Sequence, residues 1–383
     1  MREYALVFLT AVTVTYLLTV IAREIAIRTH AVAAVRDRDV HDEPIPYLGG
    51  LAMLGGLTAA YVVARQLPFL SLSDPLVFRD AGVVLVAGAM ICGVGVLDDI
   101  FDLDALTKFG GQLLAAAFLV YNQIQFNFFI KADGGQFSLQ FSQGALLTVF
   151  IVVATVNAVN FVDGLDGLAA GVVGIGALAF FVFCYQLAAL NKVSLATTGA
   201  LLSASLAGAC IGFLPHNVHR ARLFMGDSGS MLIGLFLSAS AITLTGQFPA
   251  SSISQGAFGS DASWAPMLLP LALPISILML PLVDLVLAVV RRTRAGRSPF
   301  APDKQHLHHR MLEIGHSHRR AVFIMWLWAA LIAFGTVVIS LYTGPLMWVA
   351  IGVGVAVTLS ATFVLPVVHR PNLHHPHAPP DPG

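Results

Sequence analysis

The sequence predicts an all-α integral membrane protein, and three observations carry that prediction. Hydrophobic residues fill 57% of 383 positions and charged residues only 11%, against about 25% charge in a soluble globular chain. Apolar runs of membrane-spanning length recur along the whole chain, and mean hydropathy is +0.81. Lys and Arg gather in alternate connections between those runs. This composition excludes a cytosolic enzyme, a disordered tail protein and a disulfide-stapled secreted module. With 21 basic and 21 acidic residues the formal net charge is zero, so bulk electrostatics give no argument for a nucleic-acid partner. Cys92, Cys184 and Cys210 all fall inside apolar runs and read as small buried hydrophobes, with no zinc-type spacing.

A bilayer core of about 30 Å takes about 20 apolar residues per helix. Eleven segments meet that demand: 4–22, 48–64, 81–97, 106–121, 144–162, 167–187, 195–213, 229–246, 265–290, 321–341 and 345–366. The first is too long for a signal-peptide core and lacks a cleavage site, so it is expected to stay as a membrane helix. Lys108 and Asn157 sit inside or beside the fourth and fifth spans. Residues 122–143 hold two loosely alternating stretches around Asp133-Gly134-Gly135, the pattern of a short outer, periplasmic hairpin. Residues 1–368 read as one polytopic domain, and the Pro- and His-rich residues 369–383 as a disordered cytoplasmic tail.

With the N-terminus outside, inner segments hold 16 of the 21 Lys and Arg residues and outer segments hold 5. The positive-inside rule therefore predicts an N-out, C-in chain. All 13 histidines and the clustered carboxylates then fall on the inner side. A proton-coupled transporter would place ionisable groups near mid-membrane. Here the carboxylate clearly inside a span is Asp284, seven residues before Arg291, about 10 Å along a helix. An enzyme with a cleft on the cytoplasmic side is favoured over a pore or carrier.

Four inner clusters carry the polar chemistry. Asp98, Asp99, Asp102 and Asp104 place four carboxylates in seven residues at the end of the third span. Such hard oxygen ligands suit magnesium shared with substrate phosphates, and they equally suit a solvated acidic loop. Asn157, Asn160, Asp163 and Asp166 recur at three-residue intervals with Gly164 and Gly167 beside them. That spacing puts amides and carboxylates on one helical face or its frayed end, able to read a base and ribose or to cap the helix. In Asn217 to Ser230, a Gly226-Asp227-Ser228-Gly229 turn opens the eighth span. Its free N–H groups can cradle phosphate while Asp227 takes a metal, and the same residues make a good N-cap. The longest inner loop holds Arg291, Arg292, Arg294 and Arg297, then His306-Leu307-His308-His309-Arg310. Its cations suit a diphosphate, with a transition-metal site and the positive-inside effect as the alternative readings.

In chain order these clusters resemble the polyprenyl-phosphate N-acetylhexosamine-1-phosphate transferases of bacterial membranes, glycosyltransferase family 4. The resemblance rests on Pro46-Tyr47-Leu48-Gly49-Gly50, Asp98-Asp99, the run from Asn157 to Gly167, Phe224 to Ser230, and His306 to His309. These motifs spread over residues 41–312, most of the chain. His306-Leu307-His308-His309-Arg310 looks like the branch that uses UDP-N-acetylglucosamine; the phospho-N-acetylmuramoyl-pentapeptide branch carries three consecutive histidines there. Tyr47 departs from the Arg common at its position.

The resemblance implies that a polyprenyl phosphate, undecaprenyl or decaprenyl, attacks the β-phosphorus of UDP-N-acetylglucosamine and releases UMP. It implies a bacterial cell-membrane location, an active site facing the cytoplasm, and a first step in lipid-linked cell-envelope polysaccharide synthesis. Asp227 would hold magnesium, with manganese as the alternative ion. Asp98 and Asp99 would position the lipid phosphate or the metal, with Asp99 as proton acceptor a further variant. Asn160, Asp163, Gly164, Asp166, Asn217 and Phe224 would surround the nucleotide, Phe224 stacking on uracil. His306, His308 and His309, with Arg291, Arg292 and Arg294, would face the phosphates and sugar. The muramoyl-pentapeptide transferase and a nucleotide-sugar or lipid-linked sugar carrier are the competing readings, and a homodimer is compatible with the sequence.

Overall fold

The structure is a computed structural model that describes residues 1–29, 31–32, 45–130, 136–191, 194–218, 220–245, 290, 293–294, 316–341 and 344–363. Among them the helices are α1 (Arg2–Arg28), α2 (Gly49–Ala64), the short α3 (Pro68–Ser71), α4 (Pro75–Phe101), α5 (Ala105–Tyr121), α6 (Phe141–Val162), α7 (Leu168–Asn191), α8 (Ser194–Asn217), α9 (Gly226–Thr245), α10 (His318–Leu341) and α11 (Pro345–Phe363). Eight of these are long and apolar enough to cross a membrane, whereas α2 and α5 are shorter apolar helices. Ten of the eleven expected spans therefore coincide with a helix, and 265–290, apart from residue 290, lies outside the described residues. So does the tail 369–383.

The ends of the helices follow their local chemistry. Asp74 caps α4 by accepting the Leu76 N–H, with Pro75 in the first turn. Asp102 ends that helix in the left-handed region at φ 53°, and Asp104 then caps α5 by accepting the Thr107 N–H at 2.7 Å. Gln143 reaches back to the Gln140 N–H at 3.1 Å to start α6. Between α5 and α6 the expected hairpin is present. Strands β1 (Phe128–Ile130) and β2 (Gln136–Ser138) pair antiparallel, with Phe129 opposite Phe137.

α9 lies at the centre, packed against α2, α4, α6 and α8. α8 joins it to α7 and α1, and α10 packs against α7. The core is filled by Phe180, Phe183, Phe213 and Phe236 among aliphatic neighbours. Buried hydroxyls do not break it, because Ser203, Ser205, Ser238 and Ser240 each donate to a carbonyl three or four residues back. Helices in a membrane gain most where small residues let backbones approach. At Gly95 on α4 an added Cβ would run into the Ser228 backbone at the start of α9. That close approach sets the geometry of the site.

The structure also moves one boundary. The third span was expected to end at Leu97, with its carboxylates just beyond. α4 instead continues to Phe101, so Asp98 and Asp99 are side chains of its last turns. The helix persists because Asp98 also accepts the Leu103 N–H at 2.9 Å, satisfying the chain as it leaves the helix.

Candidate active site at the converging helix ends

Four helix ends meet at one end of the bundle. They are the last turns of α4 with Asp98 and Asp99, the first turn of α5 with Lys108, the end of α6 with Asn160, and the start of α9 with Asp227. Both oxygens of Asp99 accept N–H groups of the first turn of α9, from Asp227 at 2.8 Å and Ser228 at 3.2 Å. This cap, supplied by a neighbouring helix, satisfies two otherwise orphaned donors and sets an anion against the positive end of the helix. Gly226 has φ +68°, and a Cβ there would collide with the Asp99 carboxylate. The expectation that this helix start would be free to cradle phosphate is corrected, because Asp99 occupies two of those donors.

Asp227 is held from two further sides. Its Oδ2 accepts from Lys108 Nζ at 2.9 Å and its Oδ1 from Asn160 Nδ2 at 2.9 Å. Asn160 Nδ2 also lies 2.9 Å from Ser230 Oγ. Lys108 Nζ stands 2.6 Å from Asp98 Oδ2, so one ammonium bridges two carboxylates. Oxygens of Asp98, Asp99 and Asp227 all lie within 4.8 Å of one another. Opposite ligands of a six-coordinate magnesium are about 4.2 Å apart. The donor set therefore fits a hard divalent ion after small side-chain adjustments, and the bridging ammonium already shows that the cluster holds a cation.

The second cluster divides. Asp163 caps the end of α6, and desolvation pushes its carboxyl up to about 8, with the Asp227, Asp99 and Asp166 charges adding to the shift. Gly164 is exposed in the same turn. Asp166 is buried and accepts the Ala221 N–H at 3.1 Å. Asn217 is buried as well: its Oδ1 accepts the Gly167 N–H at 3.0 Å and its Nδ2 donates to the Leu223 carbonyl at 3.0 Å. Those two residues thus lace the 163–167 turn to the 217–224 loop. The half-buried ring of Phe224 stands 5.9 Å from that of Tyr47, tilted by 37°. The Pro46 to Gly50 motif runs beside it, with Phe224 N–H to the Pro46 carbonyl at 2.9 Å and Gly49 N–H to the Phe224 carbonyl at 3.1 Å.

Asp98, Asp99, Asp227 and Asn160 are thus brought together, and Asp163 lies within their electrostatic reach. Arg294 is exposed. Asp284, Arg291, Arg292, His306, His308 and His309 lie outside the described residues. Lys108 is a site residue that none of the sequence motifs singles out. The signal for it was a lone cation in an apolar run, ten residues after Asp98, which is costly unless paired. Nothing in the sequence motifs pairs Ser230 with Asn160 or Tyr47 with Phe224.

A bundle of apolar helices that gathers three carboxylates, an ammonium and an amide at one end defines a polytopic membrane protein with an acidic polar site that could hold a metal ion. The family model for glycosyl transferase family 4 matches residues 81–245, the stretch that contains every member of that cluster. A decaprenyl-phosphate N-acetylglucosaminephosphotransferase of Mycobacterium tuberculosis (strain CDC 1551 / Oshkosh) is 47% identical over 374 residues, 97% of this chain and 90% of that protein. The protein of the same name from Mycolicibacterium smegmatis (strain ATCC 700084 / mc(2)155) is 48% identical, covering 94% of this chain and 88% of its own. An undecaprenyl-phosphate alpha-N-acetylglucosaminyl 1-phosphate transferase of Yersinia pestis is 28% identical over 82% of this chain and 78% of its own. The chain belongs to glycosyl transferase family 4.

Proposed function

We propose that this protein transfers N-acetylglucosamine-1-phosphate from UDP-N-acetylglucosamine to a polyprenyl phosphate, releasing UMP. The observation that carries the reading is the convergence of Asp98, Asp99, Asp227, Asn160 and Lys108 at one end of the bundle, in a chain whose relatives are named for that transfer to decaprenyl phosphate. Those names support the N-acetylglucosamine donor over the muramoyl-pentapeptide one. An oxygen of the lipid phosphate attacks the sugar-bearing phosphorus, the bond to the UMP oxygen breaks, and UMP leaves with the electron pair. Phosphoryl transfer of this kind asks for positioning and charge neutralisation more than for covalent chemistry by the protein.

Asp227, Asp98 and Asp99 are the residues that would hold a divalent ion, magnesium by their all-oxygen character and manganese as the alternative. Bound there, such an ion would neutralise diphosphate charge. Lys108 supplies a fixed positive charge beside the same oxygens. Asn160 keeps Asp227 oriented, and Asp99 keeps the first turn of α9 in place. Asp163, protonated below about pH 8, presents an O–H donor rather than a repelling charge to an approaching anion. Phe224 and Tyr47 offer adjoining aromatic rings for a base, while Asp166 and Asn217 shape the nucleotide site by holding its two loops. His306, His308, His309, Arg291, Arg292 and Arg294 complete the phosphate and sugar contacts in this reading.

The same reading places eleven spans in a bacterial cell membrane, N-terminus out and active site facing the cytoplasm, with residues 1–368 as one domain. The polar helix ends are the side where a soluble donor meets a lipid acceptor without extracting it from the bilayer. The test is mass spectrometry of lipids from membranes supplied with UDP-N-acetylglucosamine. A polyprenyl diphosphate-linked N-acetylglucosamine should appear with the wild type and be absent with Asp227→Asn. The same yield from both would refute the assignment.

A further inference from the structure

One helical turn into the bundle from the carboxylate cluster, α5 and α6 share a second polar contact. Gln112 on α5 is buried, and its Oε1 accepts from Asn157 Nδ2 on α6 at 2.7 Å. Gln112 Nε2 donates to Asn157 Oδ1 at 3.4 Å and to Met231 Sδ on α9 at 3.6 Å. Asn157 Nδ2 also donates to the Val153 carbonyl of its own helix at 2.8 Å. The spacing of Asn157 suited a base contact, but its amide is engaged within the bundle. Gln112 follows Lys108 by four residues, Asn157 precedes Asn160 by three, and Met231 follows Asp227 by four, so each pair shares a helix face. The amides therefore form a second tier behind the contacts that hold Asp227. Packing does not explain them, since two leucines would suit apolar neighbours equally well. A buried amide is tolerated only when it is hydrogen-bonded.

The helices differ in how firmly they are placed. α6 meets α9 at Gly234, where an added Cβ would run into the Val156 backbone, so close backbone packing sets Asn160 against Asp227. α5 is peripheral among the described residues. It packs against α4 and α6, while Leu106, Phe109, Leu114 and Tyr121 are exposed and a Cβ on Gly110 would meet nothing within 4 Å. The short 102–104 connection and the Asp104 cap hold the start of α5 but do not fix its rotation about its own axis. A reciprocal amide pair is directional and strong where the dielectric is low, and this one lies on the face of α5 that carries Lys108. We infer that Gln112 and Asn157 are positioning residues, which set the register of α5 on α6 so that Lys108 reaches Asp98 and Asp227 together. The effect on turnover rests on the proposed transferase activity; the effect on the Lys108 bridge does not.

The experiment uses the full-length protein purified in mild detergent. It compares the wild type, Lys108→Met, Gln112→Leu/Asn157→Leu, and the combination of all these substitutions. Thermal unfolding of the metal-free proteins reads the coupling between the amide pair and the ammonium. Without the pair, the drop in melting temperature caused by Lys108→Met should shrink to about half or less of its value in the wild-type background. The exchanged variant Gln112→Asn/Asn157→Gln keeps the summed side-chain length and should restore most of that drop. Asn157→Leu alone, at an exposed position, carries the same cycle if the double variant does not fold. UMP release supplies the second readout. The double Leu variant should lose about tenfold in kcat, with KM for UDP-N-acetylglucosamine within about twofold of the wild type. A wild type without transferase activity would count against the proposed function alone, because the unfolding cycle is read without substrate. Additive melting shifts, an exchanged variant that behaves like the double Leu variant, or a folded double Leu variant with the kcat of an active wild type would each overturn the inference.

Discussion

Replacing Lys108 by Met tests the electrostatic design of the carboxylate cluster. The ammonium lies 2.6 Å from Asp98 and 2.9 Å from Asp227, and its side chain is 29% exposed, so water screens it only in part. With charge centres about 4 Å apart, each attraction is worth about 4 kcal/mol at an effective dielectric of 20, before desolvation is subtracted. Removing one partner of such a pair strands the other charges and costs about 3 kcal/mol net. The metal-free variant should therefore melt lower by on the order of 5 °C. A divalent ion restores the missing positive charge and competes with no ammonium. Added magnesium should thus raise the melting temperature of Lys108→Met more than that of the wild type. Thermal unfolding followed by tryptophan fluorescence, with and without millimolar magnesium, reads both quantities. Equal magnesium shifts in the two proteins, or no destabilisation of the variant, would refute the bridging role.

The remaining predictions concern neighbouring groups. Asp163 carries a proton below about pH 8, and a cation bound nearby favours its ionised form. Magnesium binding should release a proton and tighten as pH rises through that value, which calorimetry in buffers of different ionisation heat would show; binding independent of pH from 6.5 to 9 would contradict it. Because this carboxyl binds its proton more tightly in the folded than in the unfolded chain, the metal-free protein should lose stability as pH rises toward about 8. Flat thermal stability between pH 6 and 8 would count against that sign. Asn217→Ala removes both ties between the Gly167 turn and the Leu223 carbonyl, and should cost about 1–3 kcal/mol of stability and raise KM for the nucleotide donor more than for the lipid. An unchanged melting temperature would remove its lacing role.

The membrane fold was legible because composition and span length answer to one physical demand, satisfaction of every backbone group inside the bilayer. Helix ends were less so. Asp98 and Asp99 looked like loop residues since charge normally stops an apolar run, yet capping interactions carried α4 on to Phe101. In the site, the carboxylates stood out by their density in a chain so poor in charge. Lys108 did not, because its meaning depends on a partner, Asp227, that lies 119 residues away. Asp166 and Asn217 show a different limit. An amide or carboxylate that can read a base can read a peptide group equally well, and only the fold shows that theirs hold backbone N–H and carbonyl groups. The start of α9 makes the same point, since nothing in Gly226-Asp227-Ser228 announces that Asp99 will fill its donors.

The most direct test of the central claim is UMP release by the purified protein from UDP-N-acetylglucosamine, with polyprenyl phosphate and magnesium each present or omitted. The account predicts UMP only when donor, lipid phosphate and divalent ion are all supplied, and none from Asp227→Asn. Release without the lipid, release undiminished by a chelator, or no release from folded protein under any combination would contradict it.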